Sequence, residues 1–219
     1  MTATHRRFLG LVILALSAYW LVVVAAMHVL EPEFAPLEAT LSFYVLGSYG
    51  SWMTTTFFAA GAAGLGIAYG LWSSLPRGAR STVAFACSVV GGLAVIILGL
   101  FPTDGLRPPQ TLASNVHDIA GLTRAVASPT AALLFSLAFR GHRDWQSKAA
   151  TGLVLALLTY VLHAMVVFGL AFPSVFPFPG LAQRLSAAVQ TAWSVMAVVP
   201  MLGAWRAVAE PRVTAPTPR

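Results

Sequence analysis

The side chains able to do chemistry in this 219-residue chain are few and clustered. His28 and Glu31 stand three residues apart at the close of the first apolar run, hence on one helix face. Asp104 follows the third run within Phe101-Pro102-Thr103-Asp104-Gly105. His117 and Asp118 open the fourth run, and Arg124 lies on the face of His117, seven residues deeper. The fifth run carries His163; the sixth opens with Gln183-Arg184 and continues on the same face to Gln190, with Trp193 beyond. Glu31, Asp104 and Asp118 are the candidate catalytic acids. A carboxylic acid held among aromatic rings has a raised pKa and can protonate an olefin or epoxide, while aromatic faces stabilise the resulting cation. His28, His117, Arg124, His163, Arg184 and Trp193 are the candidate substrate-binding residues; for a phospholipid, Arg124 and Arg184 are the groups to hold the phosphate.

Each residue also has a plainer reading. Asn115 as N-cap with Asp118 at N3 makes a capping box, Asp104-Gly105 makes a turn, and Glu31-Pro32-Glu33 ends a helix in solvent. The aromatic residues near these positions, among them Phe34, Tyr44, Trp52 and Phe57, equally make an interfacial belt. Arg124 is different, because a guanidinium inside a membrane span costs about 2.5–3.5 kcal/mol unless it pairs or lines water. Asp118, Asp104 and Glu31 are its expected counter-ions. With 1.5 Å of rise per residue, Arg124 and His163 reach similar depth, roughly 9–12 Å below the same ends of their runs. His28 and His117 stand near the surface and His163 deeper, which disfavours a bis-histidine haem. The single cysteine, Cys87, forms no internal disulfide, and the chain has no HExxH, GxSxG or P-loop motif, so no metal and no cofactor is expected.

These residues depend on elements dictated by composition. The chain is 58% hydrophobic and 9% charged, against about 25% charge in soluble domains. It lacks the polar surface to cover itself in water, which argues against a soluble enzyme, a disordered protein and a nucleic-acid binder. Six runs are long enough to cross a bilayer, at 8–30, 52–75, 82–101, 118–140, 149–171 and 185–206. The fold class is therefore all-α, an integral membrane bundle of six transmembrane helices forming a single domain over 1–206. Residues 207–219, with three prolines, read as a disordered tail. His5-Arg6-Arg7 resembles a twin-arginine signal, but the 23-residue run after it exceeds a cleaved signal core and reads as a retained anchor. With both termini in the cytoplasm, ten of the thirteen basic residues lie inside, and Glu31, Glu33, Glu38, Asp104 and Asp118 lie at the outer side. Small-residue ridges at Ala62-Gly66-Gly70 and at Ser88-Gly92-Gly99 are the expected helix contacts. Pro129 and Pro200 are expected to kink spans four and six.

The segment 32–47 (PEFAPLEATLSFYVLG), the FPTD at 101–104, the His117 opening span four and Gly180-Leu181-Ala182-Gln183-Arg184 together carry a resemblance. In their order and spacing the chain resembles the bacterial membrane family known as domain of unknown function nine-nine-eight, related distantly to the Frag/DRAM/Sfk group. The resemblance spans nearly the whole chain and implies a six-span fold with an outer-side polar site. Where many relatives have an acid after the serine of the first loop, Phe43 follows Ser42 here.

Three functions compete. The first is an intramembrane enzyme or binder for a lipid-like or isoprenoid molecule entering from the outer leaflet, by acid-catalysed cyclisation or isomerisation in analogy to small membrane terpene cyclases. The second is a non-catalytic lipid-organising, sensing or partner-stabilising membrane protein. The third, a small transporter, ranks lower because no polar residue marks the cytoplasmic half. The expected partners are membrane lipids and a hydrophobic small molecule in a bacterial cytoplasmic membrane; the oligomeric state is left open.

Overall fold

The computed structural model describes residues 1–75, 81–105 and 110–203. The tail expected over 207–219 lies outside the described residues, as do Arg77, Arg80, Arg107, Arg206 and Glu210. Among the described residues six helices are long and apolar enough to cross a membrane. They are α1 (Ala3–Leu30), α2 (Gly50–Ser74), α3 (Thr82–Leu100), α4 (Leu112–Phe139), α5 (Ala149–Ala171) and α6 (Pro179–Val198). The protein is a multi-pass membrane bundle, as its composition predicts. Successive spans alternate in direction, so the N-terminus and the end of α6 share one end of the bundle, the terminal end. The loops after α1, α3 and α5 share the other, the loop end.

Four helices begin earlier than the apolar runs: α1 at Ala3 and α2 at Gly50 by a few residues, α4 and α6 by more. α4 starts at Leu112, six residues before the expected Asp118. Its N-cap is Thr111, whose Oγ1 accepts the Ser114 backbone N–H at 3.2 Å, so the capping box expected from Asn115 and Asp118 does not form. The first turns carry Ser114, Asn115, His117 and Asp118, polar residues that hide a helix start from any hydropathy criterion. α6 starts at Pro179, six residues before Leu185, with proline in the first turn, where its missing N–H has no partner to lose. It gives way at Val199 to a 3-10 turn (Val199–Leu202) around Pro200, which cannot supply an α-helical N–H. Pro129, by contrast, lies buried within a continuous α4.

Each helix packs chiefly on its neighbours in sequence; α1 and α6 meet mainly through the 3-10 turn at the terminal end. Gly66 and Gly70 face Leu9 and Ile13 of α1 and Met201 beyond α6, and Gly92 faces Leu65 and the Gly61 carbonyl. These small residues serve packing inside the bundle, while Ala62 of the expected ridge is exposed. The core has two parts. Near the terminal end Phe139 stacks between Trp145 and Trp193, with centroids at 6.1 and 6.3 Å, among Ile13, Leu71 and Met201. Near the loop end Val23, Met27, Tyr44, Met53, Phe57 and Leu98 form the second cluster. Between the two is a hollow.

Candidate functional site

The hollow is a cavity of about 150 Å³. Apolar residues of both cores line it, Met53, Phe57, Ile67 and Trp193 among them, together with Arg124, Gln183, Gln190, Thr191 and Ser194. No carboxylate is among its lining residues in the described part of the chain.

Among the described residues Arg124 is the one charged group of that lining. It is held half-buried from α4. Its Nη2 donates to Gln190 Oε1 on α6 at 3.2 Å, and its Nη1 lies 3.3 Å from His163 Nε2 on α5. A guanidinium has no acceptor atom, so in this bond His163 accepts, which puts its own proton on Nδ1. Ser186 Oγ lies 3.3 Å from the same Nε2, joining a second α6 residue to the network. His163 and Ser186 are buried, at 6% and 1% exposure. Three helices thus hold one cation through neutral groups.

The expected counter-ions lie elsewhere, each for a local reason. Glu31, at the C-cap of α1, is 1% exposed and accepts the backbone N–H of Tyr49, which ties the first loop to the start of α2. It neither ends its helix in solvent nor reaches the hollow. Asp104 Oδ2 accepts the Thr111 backbone N–H at 2.6 Å, ahead of α4. That bond holds its carboxyl below the ordinary carboxylate range. Asp118 is exposed on α4. The pairing of Arg124 with Glu31, Asp104 or Asp118 is therefore replaced by amide and imidazole partners.

Arg184 forms a separate cluster closer to the loop end. Its Nε donates to His28 Nε2 at 2.7 Å, Nη1 to the carbonyls of Ala39 and Gly180 at 2.7 and 3.0 Å, and Nη2 to the Tyr44 hydroxyl at 3.0 Å. His28 in turn bonds the Val24 carbonyl through Nδ1 at 2.7 Å, which fixes its tautomer. The guanidinium also sits 5.6 Å from the Tyr44 ring centroid. Gly180 allows this assembly: a Cβ there would stand 2.7 Å from the Pro36 carbonyl and 2.9 Å from that of Leu37. Gln183 Oε1 completes it by accepting the Leu41 N–H at 2.6 Å.

His117 belongs to neither cluster. Its Nδ1 bonds the Phe101 carbonyl at 2.7 Å, and its ring meets Phe57 edge-on, behind the cavity wall. Its Nε2 is buried with no hydrogen-bond partner among the described residues. Trp193 lines the cavity with its ring while Nε1 donates to Ser136 Oγ at 2.9 Å. Of the nine expected site residues, the structure brings Arg124 and Trp193 to the lining of the hollow, sets His163 against Arg124, and sets His28 and Arg184 beside the hollow. It places Glu31, Asp104, Asp118 and His117 outside the lining. Gln190 and Ser186 complete the arginine's surroundings. Polar side chains inside an apolar span were the available signal, but pairing them with Arg124 required the packing of α4 against α5 and α6.

Among the described residues no group of three His, Cys, Asp or Glu side chains could hold a metal ion. A family model described as protein of unknown function (DUF998) matches residues 13–200. No curated protein and no solved structure matches the chain.

Proposed function

The chain belongs to the DUF998 family, and from that premise we propose that it binds an amphipathic, lipid-like molecule whose anionic head is received by Arg124. One observation carries this reading: a cation in a membrane-spanning segment lines a cavity, and its hydrogen-bond partners among the described residues are neutral. Transferring that charge into the bilayer costs about 2.5–3.5 kcal/mol, and an anion is what would offset it. Gln190 and His163 orient the guanidinium, leaving the apolar wall of Trp193, Met53 and Phe57 to take adjoining carbons. Binding is the part of the expected activity that this arrangement favours. Acid-catalysed cyclisation has no such support, since Glu31 and Asp104 are committed to backbone N–H groups and Asp118 is exposed.

The basic residues Arg6, Arg7, Arg140, Arg143 and Lys148 gather at the terminal end, so we place that end in the cytoplasm of a bacterial inner membrane. The binding cavity then faces the outer leaflet. The experiment is a thermal melt of the purified full chain with palmitate or hexadecyl phosphate. Either ligand at a hundredfold over its Kd stabilises the wild type by about 2.7 kcal/mol. Arg124→Lys retains part of that shift and Arg124→Gln loses it. A second reading, that the network only fastens α4, α5 and α6 together, rests on its three-helix geometry. It predicts that Arg124→Gln lowers the melting temperature and that neither ligand shifts the wild type.

A further inference from the structure

We propose that the groove between α1 and α6 is a lateral portal by which a long-chain carboxylate passes from the membrane to Arg124; this rests on the reading of the cavity given above. Size is the first argument. Small-molecule sites commonly have about 300–1,000 Å³. The hollow at Arg124 has about 150 Å³, enough for a head group and a few carbons. A lipid-like ligand seated there must leave most of its chain outside.

The structure provides a place for that chain. A second depression, of about 440 Å³, runs between α1 and α6 and is lined by Leu21, Val24, Ala25, Ala187 and Ala188, with His28 and Arg184 at its loop-side end. Trp20, Leu41 and Ala187 line both spaces, so groove and cavity share a wall. The helices flanking the groove touch sparsely except at the 3-10 turn, which closes the terminal end only. Leu21, Ala25 and Ala188 are exposed. In a bilayer that face meets hydrocarbon, and only a molecule dissolved in the membrane can reach it.

Charge selects the occupant. Arg184 stands six residues from Gln190, about 9 Å of helix rise, and its four hydrogen bonds go to neutral acceptors. It presents a positive charge at the loop-side end of an apolar groove, and Arg124 presents a second in the cavity that shares a wall with it. Each station holds one guanidinium with no carboxylate among its hydrogen-bond partners, which suits a monoanion better than a phosphate dianion. The planar fork of Arg124 also matches a carboxylate in shape.

The test uses the full chain in phosphatidylcholine nanodiscs and 9,10-dibromostearate, a quencher of Trp20 and Trp193, with palmitate as competitor. The expected result is saturable quenching that palmitate reverses and hexadecyl phosphate reverses less well. Ala25→Phe with Ala188→Phe, both exposed and outside the cavity lining, slow the quenching by about tenfold, as obstruction of a route requires, and weaken equilibrium binding by less than Arg124→Gln does, since Arg124 still holds the head. Arg124→Gln weakens binding by about tenfold or more, and Arg124→Lys restores part of it. If the groove variants bind at the wild-type rate while Arg124→Gln loses binding, the portal is wrong and the cavity reading stands. If the groove variants abolish equilibrium binding, the groove is the site itself and not a route. If Arg124→Gln binds as the wild type does, the cavity reading fails and takes the portal with it. Stronger competition by hexadecyl phosphate overturns the carboxylate assignment.

Discussion

Arg184 on α6 and His28 on α1 are joined by a 2.7 Å hydrogen bond in which the guanidinium Nε–H donates to the imidazole Nε2. It spans the opening between two helices that otherwise meet mainly at the far end of the bundle. The same guanidinium holds Ala39 and Tyr44, so one side chain joins α6, α1 and the first loop. Its hydrogen bonds use all three nitrogens of the fork, and this determines what a substitution does.

Arg184→Gln should therefore release the first loop. A charge-assisted hydrogen bond contributes about 1.5–3 kcal/mol, and a loss of at least about that size is expected in thermal or denaturant unfolding. Hydrogen exchange should rise first at the backbone amides of 39–46. Arg184→Lys should recover little, because an ammonium cannot reproduce the fork. Unchanged exchange in that loop would contradict the clamp.

Glu31 makes a different prediction from that of a catalytic acid. Its buried carboxylate receives the Tyr49 N–H, so Glu31→Ala leaves that donor unpaired and should cost about 1–3 kcal/mol. Glu31→Gln keeps an acceptor in place and should cost less. Gly47→Ala should be destabilising as well, by about 1–3 kcal/mol, because a Cβ there would overlap the Glu31 carboxyl group. Unfolding midpoints of the three variants check the ranking.

Asp104 links this loop end to pH. The Thr111 backbone N–H lowers its pKa in the folded protein. A depressed carboxylate contributes stability that is fully present above its unfolded pKa, about 3.9, and is lost as pH falls through the lower folded value. Melting temperatures measured from pH 6 down to 3 should show a loss below about pH 4 that is smaller in Asp104→Asn. Equal acid sensitivity in both proteins would remove Asp104 from the account.

Trp193 separates packing from binding. Its Nε1 donates to Ser136 Oγ, and that hydroxyl also donates to the Ala132 carbonyl at 2.7 Å. Trp193→Phe should lose one net hydrogen bond, about 0.5–1.5 kcal/mol, with some added loss from the smaller ring. Palmitate binding should change by less than about fivefold, because the anion is held by Arg124. A larger loss of binding than of stability would give the indole more than its share of the apolar wall in holding the ligand.

Composition and run length alone settle that this chain crosses a membrane six times, because a bilayer requires about 20 apolar residues per span and leaves few other ways to satisfy the backbone. Arg124 stands out in the same reading, since its cost depends on the solvent and not on its neighbours. Its partners do not follow from the linear order. Glu31, Asp104 and Asp118 lie near the right helix ends, yet a backbone N–H from Tyr49 or Thr111 satisfies two of them and the third is exposed. Hydropathy also misses the starts of α4 and α6, because polar residues (Ser114 to Asp118 in α4, Gln183-Arg184 in α6) follow closely on each start. Gln190 meets Arg124, and His28 meets Arg184, across 66 and 156 residues of chain. Whether two such side chains come within hydrogen-bond distance depends on the rotation and crossing of packed helices. Those are set by side-chain interdigitation over the whole bundle rather than by any local pattern.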